Sequence, residues 1–165
     1  MSKKTTATAD ADPLLGKAAP DFTMATDGGG SVTLAKLKGK PVVLYFYPKD
    51  NTSGCTVEAC NFRDSLTRFN KAKAIVIGVS KDSVKSHDGF KAKQKLNFTL
   101  ASDEEGKVCA AYGVWIEKSM YGRNYMGIDR ATFVIDAKGK IAHAWRKVKV
   151  PGHVDAVLEA VESLA

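Results

Sequence analysis

Tyr45-Phe46-Tyr47-Pro48-Lys49-Asp50-Asn51-Thr52-Ser53-Gly54-Cys55-Thr56-Val57-Glu58-Ala59-Cys60 is the stretch from which the rest of the chain can be read. An apolar run, Val42 to Tyr47, ends in the turn-forming residues Pro48, Asp50, Asn51, Ser53 and Gly54. A helix-like pattern follows, which predicts strand, loop, then helix, with Cys55 in the first helical turn and Thr52 or Ser53 as its cap. Unpaired N–H groups and the positive end of the helix dipole favour an anionic sulfur there. The thiolate is the working nucleophile, and helix starts are where cysteine pKa values fall below ~8.5. Cys60 follows five positions later, on a different face of the helix. On an intact helix the two Cα atoms would be roughly 8–9 Å apart, beyond the ~7 Å limit for a disulfide. Melting of the first turns would let them bridge. A disulfide here is therefore coupled to local unfolding, which suggests a reactive cysteine attacked later by a resolving one.

This stretch resembles the peroxiredoxins, and in particular their Q-type branch, the bacterioferritin comigratory protein family. The family pattern of Pro, three residues, Thr, two residues, Cys stands here as Pro48, Thr52 and Cys55. The Q-type resolving cysteine five residues on is Cys60, followed by Asn61-Phe62-Arg63-Asp64. The likeness continues through Leu96 to Leu100, Ser102-Asp103, Tyr112 to Trp115 and Asp129 to Asp136, so that it spans roughly residues 14 to 164. Ser53 departs from it, since many relatives carry proline there. That change touches loop stiffness more than chemistry.

The resemblance implies a thioredoxin-like α/β fold and a thiol peroxidase. Cys55 would be the peroxidatic residue, oxidised by hydrogen peroxide or an organic hydroperoxide to a sulfenic acid. Cys60 would resolve it as an intramolecular disulfide, and thioredoxin or a similar dithiol would reduce that. Negative charge spreads over sulfur and both oxygens in the transition state, so the site needs donors aimed at those atoms. The resemblance supplies the Cys55 N–H, the Thr52 hydroxyl and Arg130, whose rigid fork of donors suits a thiolate and a peroxide together. Pro48 would shield the pocket. Neither metal, haem nor flavin is implied, because the sulfur carries the electrons, and a monomer is expected.

Glu58 reads either as a group near the reacting atoms or as a favourable carboxylate in the first helical turns. Arg63 reads as a surface residue rather than a charge for the thiolate. Cys109, within the apolar pattern Val108 to Tyr112, reads as core rather than as a second resolving residue. His87, His143 and His153 are scattered and none neighbours a cysteine, so a metal site and a Cys–His dyad both lack support.

At 165 residues and 44% hydrophobic, the chain predicts one domain over 13–165 with a single buried core. Residues 1–12 read as a disordered Thr/Ala-rich tail rather than a signal peptide. No apolar run approaches the ~20 residues of a membrane span, and the expected address is the cytoplasm. The net charge of +7 comes from dispersed lysines, so nucleic acid is not an expected partner. A dithiol oxidoreductase acting on protein disulfides, or a non-enzymatic chaperone or binding protein, are the alternative functions.

Alternating strands and helices predict a sandwich with a mixed central sheet. An N-terminal hairpin is expected across Asp27-Gly28-Gly29-Gly30, and buried strands over Pro41 to Tyr47 and Ala74 to Val79. Helices are expected after Cys55, up to about Lys95, over Glu105 to Tyr112 and over His153 to Leu164. A hairpin is expected across Asp136 to Gly139. Trp115 to Asp129 reads as mainly loop.

Overall fold

The structure, a computed structural model, describes residues 12–164. The tail expected over 1–12 lies outside them except for Asp12, which accepts from Leu14 N (3.0 Å) and pairs with Arg146 Nε (2.7 Å). Among the described residues, nine strands form a seven-stranded mixed sheet and a separate hairpin. Strands β1 (Thr23–Thr26), β2 (Ser31–Thr33), β3 (Val42–Phe46), β4 (Ile75–Ser80), β5 (Thr99–Ser102), β8 (Ala131–Ile135) and β9 (Ile141–Trp145) lie in the order β2-β1-β5-β4-β3-β8-β9. β3, β4 and β5 run parallel, joined by helices α1 (Ser53–Lys71) and α2 (Val84–Gln94), and the remaining pairings are antiparallel. Helix α3 (Lys107–Ala111) is shorter than the expected 105–112, and α4 (His153–Glu162) closes the chain.

Every residue of β3 is buried, which is why its sequence is a continuous apolar run without alternation. Val43, Tyr45 and Tyr47 face α1, α2 and α4, while Val42, Leu44 and Phe46 face α3 and the N-terminal segment. Phe62 and Phe69 dock α1, and the Phe62 ring stacks on Tyr45 at 4.5 Å. In α4, Val154, Val157, Leu158 and Val161 point inward, but Leu164, expected with them, is 37% exposed.

The segment expected to be loop forms a second sheet instead. β6 (Trp115–Met120) pairs antiparallel with β7 (Arg123–Ile128) through a two-residue turn, Tyr121-Gly122, with φ of 53° and 76°. Both central residues have positive φ, as tight hairpins require. Met120, Tyr121, Tyr125 and Met126 are exposed and Ile128 is buried at the base of the hairpin, so most of it lacks the apolar/polar alternation that announces a strand. Among the described residues no helix is long and apolar enough to cross a membrane.

Candidate active site

The parallel β3–α1 junction positions the site. Beyond Phe46 the chain leaves the sheet; Tyr47 is buried, Pro48 and Lys49 are exposed, and Asp50 turns back inward. Asn51 takes φ 66°, Thr52 is extended (φ −84°, ψ 156°), and α1 starts at Ser53. The helical ladder begins with Thr56 N donating to Thr52 O at 2.9 Å. The N–H groups of Ser53, Gly54 and Cys55 lie outside that ladder, and no side chain caps them. The side-chain cap expected from Thr52 or Ser53 is therefore not made. The Thr52 hydroxyl donates to the Lys49 carbonyl at 2.8 Å instead, bracing the loop.

Cys55 is the third residue of α1 and is 1% exposed. Arg130, just before β8, reaches it from across the site: Nη2 lies 3.4 Å from Cys55 Sγ, and Nη1 donates to Glu58 Oε1 at 2.6 Å. Glu58, one turn after Cys55, is buried. It is therefore part of the constellation, a role the sequence left undecided. Burial pushes its carboxyl up to about 7, against the opposing pull of Arg130. Gly54 makes the approach of Arg130 possible, since a Cβ there would stand 3.2 Å from Nη2. Below the arginine, His153 lies 2.8 Å from Thr132 Oγ1. Burial, helped by the charge of Arg130, lowers its pKa to about 4, which keeps the ring neutral.

Cys60 is half-buried on the same unbroken helix and does not meet Cys55; both thiols are free. Its sulfur lies 3.7 Å from Gln94 Oε1, at the end of α2. Arg63 is not simply a surface residue: it donates to the Gln94 carbonyl at 2.7 Å as well as pairing with Asp64. Cys109 lies on the opposite face of the sheet, in the core cluster of Phe46 and Phe133. Burial and the neighbouring Asp103 raise its thiol far above the ordinary range. Of the residues predicted for the site, the structure thus joins Cys55 and Arg130, and puts Cys60 on the same helix. Pro48 and Thr52 lie exposed on the loop between β3 and α1.

Sequence reading missed Gly54, whose role depends on an arginine distant in sequence. It also missed Asp50 and His87, whose ring Nδ1 and carboxylate Oδ2 lie 2.8 Å apart beneath the loop.

Residues 15–144 match the family model described as AhpC/TSA family. A putative peroxiredoxin bcp of Coxiella burnetii is 54% identical over 144 residues, covering 87% of this chain and 95% of the relative. The peroxiredoxin Bcp of Bacillus subtilis is 48% identical over 151 residues, covering 92% and 96%. Among solved structures, a cysteine mutant of Xylella fastidiosa PrxQ superposes with a TM-score of 0.86 at 42% identity, covering 90% of this chain and 95% of that one. The bacterioferritin comigratory protein of Xanthomonas campestris, described for its alkyl peroxide reduction activity, superposes with a TM-score of 0.83 at 48% identity, covering 86% and 90%.

Proposed function

The chain belongs to the AhpC/TSA family, in its Bcp and PrxQ branch of thioredoxin-like peroxiredoxins, and from that premise we propose how its residues carry out thiol-dependent reduction of hydroperoxides. The Cys55 thiolate attacks one oxygen of the peroxide. An S–O bond forms as the O–O bond breaks, and the departing hydroxide or alkoxide takes up a proton to leave as water or alcohol. Cys55 is left as a sulfenic acid. The Cys60 thiol then displaces water from it, giving the Cys55–Cys60 disulfide. An external dithiol of the thioredoxin type donates two electrons and two protons to restore both thiols. Hydrogen peroxide and organic hydroperoxides both fit this chemistry.

The observation that carries the reading is Arg130 Nη2 at 3.4 Å from Cys55 Sγ, beside amide groups that the helix leaves unpaired. Such donors hold the anion and the charge that grows on the peroxide oxygens. Glu58 fixes the other arm of the same guanidinium, so the fork is aimed before substrate arrives. Pro48 shapes the loop that leads to Cys55, and Thr52 stiffens it through Lys49.

The second step needs the start of α1 to unwind, because Cys55 and Cys60 lie on one intact helix. Phe62, fully buried against Tyr45 and Phe69, sets where that unwinding stops. Hydrogen exchange of the reduced protein is expected to be fastest over 52–60 and to slow sharply from Phe62 onward. Protection over 52–60 equal to that of β3 would contradict the coupling.

The reaction itself is tested by NADPH oxidation coupled through thioredoxin reductase and thioredoxin. Peroxide-dependent turnover is expected in the wild type, and none in Cys55→Ser. Turnover that persists in Cys55→Ser would overturn the assignment. Rapid reduction of insulin without peroxide would favour the dithiol oxidoreductase instead.

A further inference from the structure

Asp50 lies in the middle of the loop that delivers Cys55, and its carboxylate is held from several sides. Oδ1 accepts the Tyr47 hydroxyl at 2.6 Å, and Oδ2 accepts the Ser86 hydroxyl at 2.8 Å. His87, on α2, places Nδ1 2.8 Å from the same Oδ2 and Nε2 2.9 Å from the Ala101 carbonyl oxygen of β5. The Asp50 N–H donates to Asp82 Oδ2 at 2.8 Å, which also takes the Ser80 hydroxyl at 2.6 Å. The loop is thereby tied by side chain and backbone to β4, β5 and α2 just before Asn51 takes its positive φ.

The two oxygens against the imidazole decide its charge. A backbone carbonyl can only accept, and Asp50, already accepting two hydroxyl protons, is placed as a carboxylate. A neutral ring has one N–H, and would leave its second nitrogen lone pair against an oxygen with no water to intervene, since His87 is 0% exposed. The imidazolium satisfies both contacts. Burial opposes its charge, but Asp50 and the Ala101 carbonyl outweigh burial and raise the His87 pKa. Burial likewise opposes the charge of Asp50, and His87 and Tyr47 outweigh it to lower that pKa.

We propose that His87, donating from both ring nitrogens, is the positioning residue that fixes the Asp50–Thr52 loop and, through it, the start of α1 at Cys55. The inference rests on Cys55 being the peroxidatic residue. The groups that face the ring are Asp50 from the loop, Tyr47 from the end of β3 (hydroxyl 3.5 Å from Nδ1) and Asp82 from the β4–α2 connection. Asp50, Asp82 and His87 also have the spacing of a cation site. Both Asp50 oxygens, Asp82 Oδ2 and both ring nitrogens of His87, however, already serve hydrogen bonds within the network.

A folded pKa above the ordinary ~6.5 means that the tie is fully formed below that value and is lost as pH rises through the folded pKa. Loss of the proton leaves either Asp50 or Ala101 without its donor and slackens the loop, and a small misplacement of a reacting group is costly.

The test combines ¹⁵N NMR of the histidine side chains with stopped-flow oxidation by hydrogen peroxide in Cys60→Ser, where the first step is isolated. Both ring nitrogens of His87 should be protonated at pH 7. His143 and His153 should be neutral there, since burial lowers both. The rate constant for Cys55 should fall about tenfold as His87 loses its proton. His87→Gln donates from one end only, and should be about tenfold slower throughout, with no such step. A neutral His87 at pH 7, or a rate that does not change across its titration, would overturn the proposal even if His87→Gln fails to fold. A wild-type Cys55 no faster than a free thiol would overturn the peroxidase reading itself, an outcome distinct from a neutral His87.

Discussion

Cys55 and Cys109 are hidden equally, at 1% and 0% exposure, yet they meet opposite charges. Cys55 opens a helix whose first N–H groups are unpaired, and it has a guanidinium 3.4 Å from its sulfur. Cys109 lies on the other face of the sheet, and its own N–H donates to the Asp103 carboxylate at 2.7 Å. Burial and that carboxylate hold its proton in place. On the roles proposed for them, burial does not separate the reactive thiol from the inert one in this fold, and the sign of the charge beside the sulfur does.

Removing the cation should break the contrast. Arg130→Gln is expected to slow peroxide oxidation of Cys55 by about 100-fold, the typical cost of losing one preorganised donor. A loss under threefold would mean that the helix start alone activates the sulfur.

Glu58 sharpens the contrast through stability. Its folded pKa is raised from 4.5 to about 7, so the folded state holds this proton more tightly than the unfolded chain. The contribution is fully present below pH 4.5 and is lost as pH rises through about 7. Relative to Glu58→Gln, the wild type should lose up to about 3 kcal/mol over that window in urea melts. A relative gain instead would mean that Arg130 keeps Glu58 ionised throughout.

Gly54→Ala should push Arg130 off the sulfur, because the added Cβ meets Nη2 at 3.2 Å. About a tenfold slower oxidation is expected in stopped flow, from a shift of a few tenths of an ångström. Ser53→Pro acts on the unwinding step. Ser53 is the first helical residue, a position that favours proline, and the extended Thr52 before it suits an X–Pro bond. It should stabilise the fold by about 0.5–1 kcal/mol and slow disulfide formation a few-fold in mass-spectrometric time courses. Cys109→Ala should leave the oxidation rate of Cys55 unchanged. A fall in that rate would tie the two cysteines together.

The site was partly legible in the sequence because its core is local. Cys55, Cys60, Pro48 and Thr52 lie within one strand–loop–helix unit, where turn residues and helix spacing carry information. Arg130 came from family likeness. Its partner Glu58 stayed undecided because helix period cannot say what stands opposite a side chain 72 residues away. His87 and Asp50, 37 residues apart, looked ordinary for the same reason: only the β3–α1–β4 crossover brings them together. The fold was read from its buried strands, β3 and β4, whose apolar runs report burial on both faces. The β6–β7 hairpin was read as loop because exposed strands carry no such pattern, and Tyr121-Gly122 is not a common turn pair.

The most direct test treats reduced wild-type protein with one equivalent of hydrogen peroxide, follows its fluorescence, and maps the product by mass spectrometry. The account predicts a fast stoichiometric reaction ending in a Cys55–Cys60 disulfide, and a sulfenic acid on Cys55 in Cys60→Ser. A disulfide through Cys109, or a reaction no faster than that of a free thiol, would contradict it.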